Sequence, residues 1–138
     1  MVTKEEILNN VKTITDKVAD PEYKPVFTIL MVEKADEELI YHQSTTAGEK
    51  KDVRSGFPDT GDTFDVGFYH NVDDAIEALA SNCCDIQEGI YQAGFILCRF
   101  PGVYPVVSSG MRMYFRWNAE EGKFVQAEEP SIFAHIAF

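Results

Sequence analysis

A stretch near the carboxyl end of the chain, Met111 to Asn118, alternates strictly between two sets of side chains. Such a period of two is typical of a β-strand, because successive side chains of a strand point to opposite faces of the sheet. We predict that one face is core and the other carries two arginines. The core set is Met111, Met113, Phe115 and Trp117, and the other set is Arg112, Tyr114, Arg116 and Asn118. A turn over 118–122 then predicts a partner strand over 123–127.

Apolar spacing and stop signals predict the other elements. Thr3 and Glu6 form a capping-box pair at the start of a helix predicted from Lys4 to Ala19, which Pro21 would end. Asn71 is predicted to cap a second helix, whose buried stripe would be Val72, Ile76, Leu79 and Cys83. Further strands are predicted over 26–33, 39–43, 64–69 and 91–100, and a short last helix over 131–136. The strand over 64–69 would place Phe64, Val66 and Phe68 on one face.

This order of elements lacks the regular alternation of strand and helix that produces a doubly wound parallel sheet. We therefore predict an α+β fold: a single domain over 1–138, with a mostly antiparallel sheet of about five to six strands and two to three helices packed on it. The polar stretch over 44–63 is longer than ordinary connections, and we predict that it is a mobile loop.

Charge restricts the classes of partner. The chain has 12 Lys plus Arg and 23 Asp plus Glu, a net charge of −11, which argues against binding to a phosphate backbone. No Lys or Arg occurs between Arg54 and Arg99, an interval that contains many carboxylates. We predict that these carboxylates bind a protein with a basic surface, while the alternative is an acidic surface that serves solubility. They are Asp59, Asp62, Asp65, Asp73, Asp74, Glu77, Asp85 and Glu88.

No catalytic motif, metal site or cofactor site is predicted. The three histidines, His42, His70 and His135, lack the helical spacing of a metal pair. Cys83 and Cys84 lie near a predicted helix C-terminus, where the helix dipole opposes thiolate formation. We therefore predict a non-catalytic binding or inhibitor module. The alternative is a small enzyme or ligand-binding domain, with a site built from Asp59, Asp62, His70 and Asp85.

The location predicted for the chain is the cytoplasm. The amino terminus lacks the apolar core of a signal peptide, and no apolar run approaches the ~18 residues of a membrane span. The cysteine count is odd, at three, which suits a reducing compartment better than a disulfide framework.

Several short segments between residues 64 and 130 carry a resemblance. They are Gly67-Phe-Tyr69, Asn71-Val-Asp-Asp-Ala-Ile-Glu-Ala78, Asn82-Cys-Cys-Asp-Ile-Gln-Glu88, Tyr91, Pro101-Gly-Val-Tyr104, Arg116-Trp-Asn118 and Gly122-Lys-Phe124. In these segments, which span about half of the chain, the sequence resembles a group of short uncharacterised proteins of gut Firmicutes and their mobile elements. The resemblance implies neither an activity nor a site.

Overall fold

Residues 1–36, 60–81, 91–102 and 111–133 are described by the structure, which is a computed structural model. The helices are α1 (Lys4–Thr15) and α2 (Val72–Ser81), and a 3-10 turn spans Ser131–Phe133. The strands are β1 (Val26–Val32), β2 (Thr63–Tyr69), β3 (Ala93–Arg99), β4 (Arg112–Asn118) and β5 (Lys123–Gln126). They form one antiparallel sheet in the order β2-β1-β3-β4-β5. The predicted α+β class and single domain are confirmed.

The middle of the sheet is built from β1 and β3, whose sequences are apolar on both alternating faces. β3 is buried from Ala93 through Cys98, and β1 is buried at Phe27 and from Ile29 through Val32. A strand that is covered on both faces needs apolar residues throughout, so near-continuous apolar runs are found at central positions. The strand predicted over 91–100 is thus β3, the central strand of the sheet.

Both helices lie on one face of the sheet, which we call the helix face and which carries Phe27, Ile29 and Met31. A Cβ placed on Gly94 would lie 3.0 Å from Met31 Sδ and 3.3 Å from Leu79 Cδ1, so α2 packs closely over the start of β3. The start of α1 is joined to α2 by a salt bridge from Lys4 to Asp73. Thr3 Oγ1 accepts from the amide of Glu6 at 3.2 Å and caps α1 as predicted.

The opposite face, which we call the far face, is also buried, and this corrects the prediction for β4. Arg112, which was assigned to a polar face, is only 4% exposed, and Tyr114 is 3% exposed. The ring of Phe133 packs 5.3 Å from that of Phe95 and 5.9 Å from that of Tyr114, measured between centroids. The 3-10 turn after β5 thus covers a surface that alternation alone had predicted to face solvent. Trp117 is half-buried and packs edge-on against Phe124.

Strand β2 contains a β-bulge, which corrects the second face assignment. Phe64 pairs with Met31 and Asp65 with Leu30, but after an irregularity opposite Ile29 the pairing resumes with Phe68 opposite Thr28. Paired residues share a face, so Phe64 lies on the helix face and Phe68 on the far face. The extra residue of a bulge shifts every later side chain to the other face. Gly67, with φ of 66°, supplies the left-handed backbone conformation at this bulge.

Several element boundaries also differ from the prediction. α1 ends at Thr15 and not at Ala19, because the amides of Lys17 and Val18 bond three residues back in a tightened last turn. At the end of the predicted mobile loop, Thr60 and Asp62 accept backbone bonds of 2.9 and 3.0 Å from residues 34 and 33. The rest of that loop, the predicted strand over 39–43, Cys83 and residues 134–136 lie outside the described residues.

Candidate functional site

Five of the eight predicted partner-binding carboxylates lie within the described residues, and all five are exposed. Asp62 directly precedes β2 and Asp65 is within it, while Asp73, Asp74 and Glu77 are in the first half of α2. The other three, Asp59, Asp85 and Glu88, lie outside the described residues. The exposed carboxylates therefore follow two neighbouring elements, the strand β2 and the helix that begins after it.

The helix carboxylates are held by local interactions that their sequence predicted. Asn71 Oδ1 accepts from the amide of Asp73 at 2.7 Å, which confirms the predicted cap. The negative charges of the first turn are favourable beside the positive end of the helix dipole. Asp73 also accepts from Lys4 Nζ at 2.6 Å, and this bond raises the pKa of the lysine. Lys4 lies 69 positions away, so local charge counting could not predict the pair.

At one edge of the sheet, β2 presents backbone groups that β1 does not use. The amide of Glu33 donates to the carbonyl of Asp62 at 3.0 Å. In an antiparallel pair the residues that bond to the neighbour alternate with residues that do not. The next residue of β2 whose backbone groups face β1 is therefore Phe64. The N–H and C=O groups of Thr63 and Asp65 point away from β1. We call residues 62–65 together with Phe68 the β2 edge.

Two large aromatic side chains of the β2 edge are open to solvent. Phe64 is 55% exposed and Phe68 is 63% exposed. Phe64 stacks on Tyr91 with ring centroids 6.4 Å apart, and Phe68 meets His70 edge-on at 5.8 Å. Exposed large aromatic side chains beside a sheet edge are a recognised feature of binding surfaces. Sequence reasoning missed this feature because both residues had been assigned to a single face.

The two arginines of β4 form ion pairs with carboxylates of the same chain. Arg112 Nε lies 2.6 Å from Glu129 Oε1, and its Nη2 donates to the carbonyl of Phe133 at 2.8 Å. Arg116 Nη2 donates to Asp36 Oδ1. Burial lowers the pKa of Arg116, but the hydrogen bond to Asp36 and the nearby Tyr114 hydroxyl outweigh it and raise the pKa overall. Neither guanidinium is thus presented as a site for an acidic ligand.

Asp36 is itself held in place by Gln92, the residue before β3. Gln92 Oε1 accepts from the amides of Ala35 and Asp36 at 2.7 and 3.2 Å, and its Nε2 donates to Asp36 Oδ2 at 3.3 Å. The backbone of Gln92 bonds to Val32 and to Trp117. This network joins the ends of β1, β3 and β4. We therefore assign its polar groups a structural role and do not regard them as a binding site.

The alternative site of histidine and carboxylates is not assembled from the residues that the structure describes. Asp62 precedes β2 and His70 follows it. Eight steps of about 3.3 Å along an extended strand hold them roughly 25 Å apart. Asp59 and Asp85 lie outside the described residues. Within the described ranges, no three His, Cys, Asp or Glu side chains are grouped as a metal ion would require.

Two open grooves in the described part of the chain lack the predicted site residues. The first, of about 450 Å³, lies at the β4–β5 hairpin and is lined by Arg116, Trp117, Asn118, Ala119, Glu120, Val125, Gln126 and Ala127. The second has a similar volume and lies at the end of α1, lined by residues between Thr15 and Lys24. Neither groove contains a histidine or a cysteine.

Comparisons of the chain with protein-family models, with curated proteins and with solved structures found no match. Among the described residues, no helix combines the length and apolar character needed to span a membrane.

Proposed function

We propose that this protein acts in the cytoplasm as a non-catalytic binding module, which uses exposed carboxylates of β2 and α2 to engage a protein with a basic surface. The observation that carries the proposal is the pairing of charge with exposed aromatic area on β2. Phe64 and Phe68 are more than half exposed, and Asp62 and Asp65 are on the same strand or next to it. Interfaces combine aromatic anchors with charges that steer the partner.

Charge selects the class of partner in this proposal. Residues 60–81 contain Asp62, Asp65, Asp73, Asp74 and Glu77 and no Lys or Arg. Lys4 bonds to Asp73, whereas Asp74 and Glu77 are exposed on α2 and form no ion pair with another residue in the described part of the chain. A surface of one sign raises the association rate with a surface of the opposite sign. The resemblance to proteins of mobile elements supports the same proposal, because an inhibitor module that binds a partner protein is of the kind that mobile elements use.

The experiment begins with a partner captured by the immobilised protein from its native host and identified by mass spectrometry. Association rates of the purified pair are then measured for wild type and for a variant with Asp65→Asn, Asp74→Asn and Glu77→Gln. Asp73 is left intact because it bonds to Lys4. We expect the variant to associate about tenfold more slowly at low salt, and the difference to shrink as the Debye length falls below ~10 Å.

The matched control changes the same number of charges near the opposite edge of the sheet, with Glu120→Gln, Glu121→Gln and Glu128→Gln. These three side chains are exposed and lie before or after β5. Equal slowing of association by both variants would assign the effect to net charge and would contradict a localised surface.

A further inference from the structure

The β2 edge offers hydrogen-bonding groups in the arrangement that a further strand requires. Thr63 and Asp65 point their backbone N–H and C=O groups away from β1, as the bond from Glu33 to Asp62 establishes. The groups recur at every second residue, which is the spacing at which an extended chain would meet them. At the other edge β5 has only four residues, and its Gln126 side chain donates to the carbonyl of Val2. In the described part of the sheet, β2 is thus the longer and more open edge.

The two exposed phenylalanines restrict the shape of an occupant. Phe64 lies on the helix face and Phe68 on the far face, because the bulge reverses the alternation between them. A partner that packed against one face of the sheet would cover only one of these rings. An extended segment placed beside β2 projects its own side chains to both faces, so it can cover both rings.

The charges of the β2 edge restrict the chemistry of an occupant. Asp65 is in the strand and Asp62 directly precedes it. A second copy of this chain would bring like carboxylates together between two molecules that each carry a net charge of −11. Like charges opposite each other destabilise strand pairing, whereas opposite charges stabilise it. Acidic residues on an open edge thus discourage self-association and still admit a basic strand.

From these three observations we propose that the β2 edge binds an extended basic segment of a partner protein by strand addition. The segment would alternate large apolar side chains with lysine or arginine, with an apolar side chain opposite Phe64 and a basic one opposite Asp65. Main-chain bonds to Thr63 and Asp65 would supply affinity, and the flanking side chains would supply selectivity. This inference rests on the proposed function and specifies its partner and binding mode.

The test uses a fluorescein-labelled peptide of sequence Lys-Val-Lys-Phe-Lys-Val-Lys and the full chain, with binding followed by fluorescence anisotropy. Thr63→Pro removes one outward N–H and leaves the inward bonds of Phe64 in place, because proline is tolerated on the solvent side of an edge strand. Thr63→Val retains the N–H and is the matched control. We expect Thr63→Pro to weaken binding about tenfold, in line with the loss of one main-chain bond, and Thr63→Val to bind as wild type does.

Two changes in the peptide test the same bonds without altering the protein. N-methylation of alternate residues blocks one hydrogen-bonding side of the peptide, and replacement of Lys by Glu reverses its charge. We expect both changes to remove binding, and we expect the unmodified peptide to slow amide exchange at Thr63 and Asp65. If the N-methylated peptide binds as tightly as the unmodified one, strand addition is wrong, while charge-dependent binding at the same carboxylates would leave the proposed function standing.

If the unmodified lysine peptide does not bind to the wild-type protein, the inference of strand addition by a basic segment is overturned. Concentration-dependent dimerisation of the wild type that Thr63→Pro abolishes would instead assign the edge to a second copy of the chain. The salt series with the captured partner, described above, tests the proposed function separately, because its variant alters charges and leaves the main-chain groups of β2 in place.

Discussion

Arg112 and Arg116 lie on the same face of β4, but we expect them to contribute differently to the stability of the fold. The Arg112 side chain is 3% exposed and pairs with Glu129, whereas the Arg116 side chain is 35% exposed and pairs with Asp36. A buried charge that loses its partner is costly, but an exposed pair contributes little because water screens it. Sequence alternation treats the two residues as equivalent, and only their surroundings distinguish them.

We expect Arg112→Ala to lower the free energy of unfolding by about 3 kcal/mol, because Glu129 and the carbonyl of Phe133 lose their donor. Arg116→Ala is the matched control, with an expected loss below about 1 kcal/mol. Urea denaturation of both variants measures the two losses. A loss for Arg116→Ala equal to that for Arg112→Ala would contradict the different burial of the two side chains.

Cys98 provides a pH dependence at the residue scale. Burial raises the pKa of its thiol from 9.0 to about 12. Above pH 9 the unfolded thiol loses its proton while the native thiol keeps it, so the native state binds more protons. The free energy of unfolding therefore falls as the pH rises from about 9 towards about 12, with a slope of up to about 1.4 kcal/mol per pH unit from this group.

The measurement is the free energy of unfolding of wild type and Cys98→Ala at a series of alkaline pH values under reducing conditions. We expect the curve of the variant to be flatter above pH 9, whatever constant offset the lost sulfur causes. Parallel curves would show that Cys98 ionises equally in both states and is accessible to water.

At the scale of elements, the bulge in β2 determines which side chains the edge presents. Gly67 has φ of 66°, and a Cβ built on it would have no heavy atom within 4 Å. Backbone strain is therefore the main cost of a substitution at this position, since no steric clash adds to it. A side chain in the left-handed region costs roughly 1 to 2 kcal/mol, and asparagine tolerates that region better than alanine does.

We expect Gly67→Ala to lower the free energy of unfolding by about 1 kcal/mol and Gly67→Asn to lower it by less. Thermal unfolding of the two variants beside wild type gives the comparison. If alanine is tolerated without loss, the bulge does not hold residue 67 in a left-handed conformation, and the separation of Phe64 and Phe68 onto two faces would need revision.

At the scale of the whole molecule, the order of strands separates a stable centre from an open edge. β1 is flanked by β2 and β3, and β3 is flanked by β1 and β4, so all their backbone groups face a neighbouring strand. Helices cover one face of this centre, and the cluster of Phe95, Tyr114 and Phe133 covers the other. Local opening is expected to begin where such coverage is lowest.

Native-state amide exchange is expected to follow this order. Amides of Leu30 and Ile96 should exchange at least ~1000-fold more slowly than the outward amides of Thr63 and Asp65, because Leu30 faces β3 and Ile96 faces β4, so both require opening of the central sheet. Two-dimensional NMR in deuterated buffer resolves these rates. Comparable protection at Thr63 and Ile96 would mean that the β2 edge is covered in solution, and would contradict its availability to a partner.

The local elements and the fold class could be predicted from the sequence. The cap at Thr3, the cap at Asn71 and the apolar run of β3 act through residues within a few positions of one another, so periodicity and capping predicted them. The acidic composition of residues 60–81 could also be read directly. These features depend on the helix and strand propensities and the charges of residues that are close together in the sequence.

Three features depend on contacts between distant parts of the chain and could not be predicted from the sequence. They are the burial of Arg112, the pairing of Lys4 with Asp73, and the exposure of Phe64 and Phe68 on opposite faces. Arg112 is buried because the turn at Phe133 returns over it, 21 positions later, and Lys4 meets a carboxylate 69 positions away. The bulge arises where β2 pairs with β1, whose residues lie well upstream. Alternation within a strand specifies two faces, but the strands and turns packed against it decide which face meets solvent.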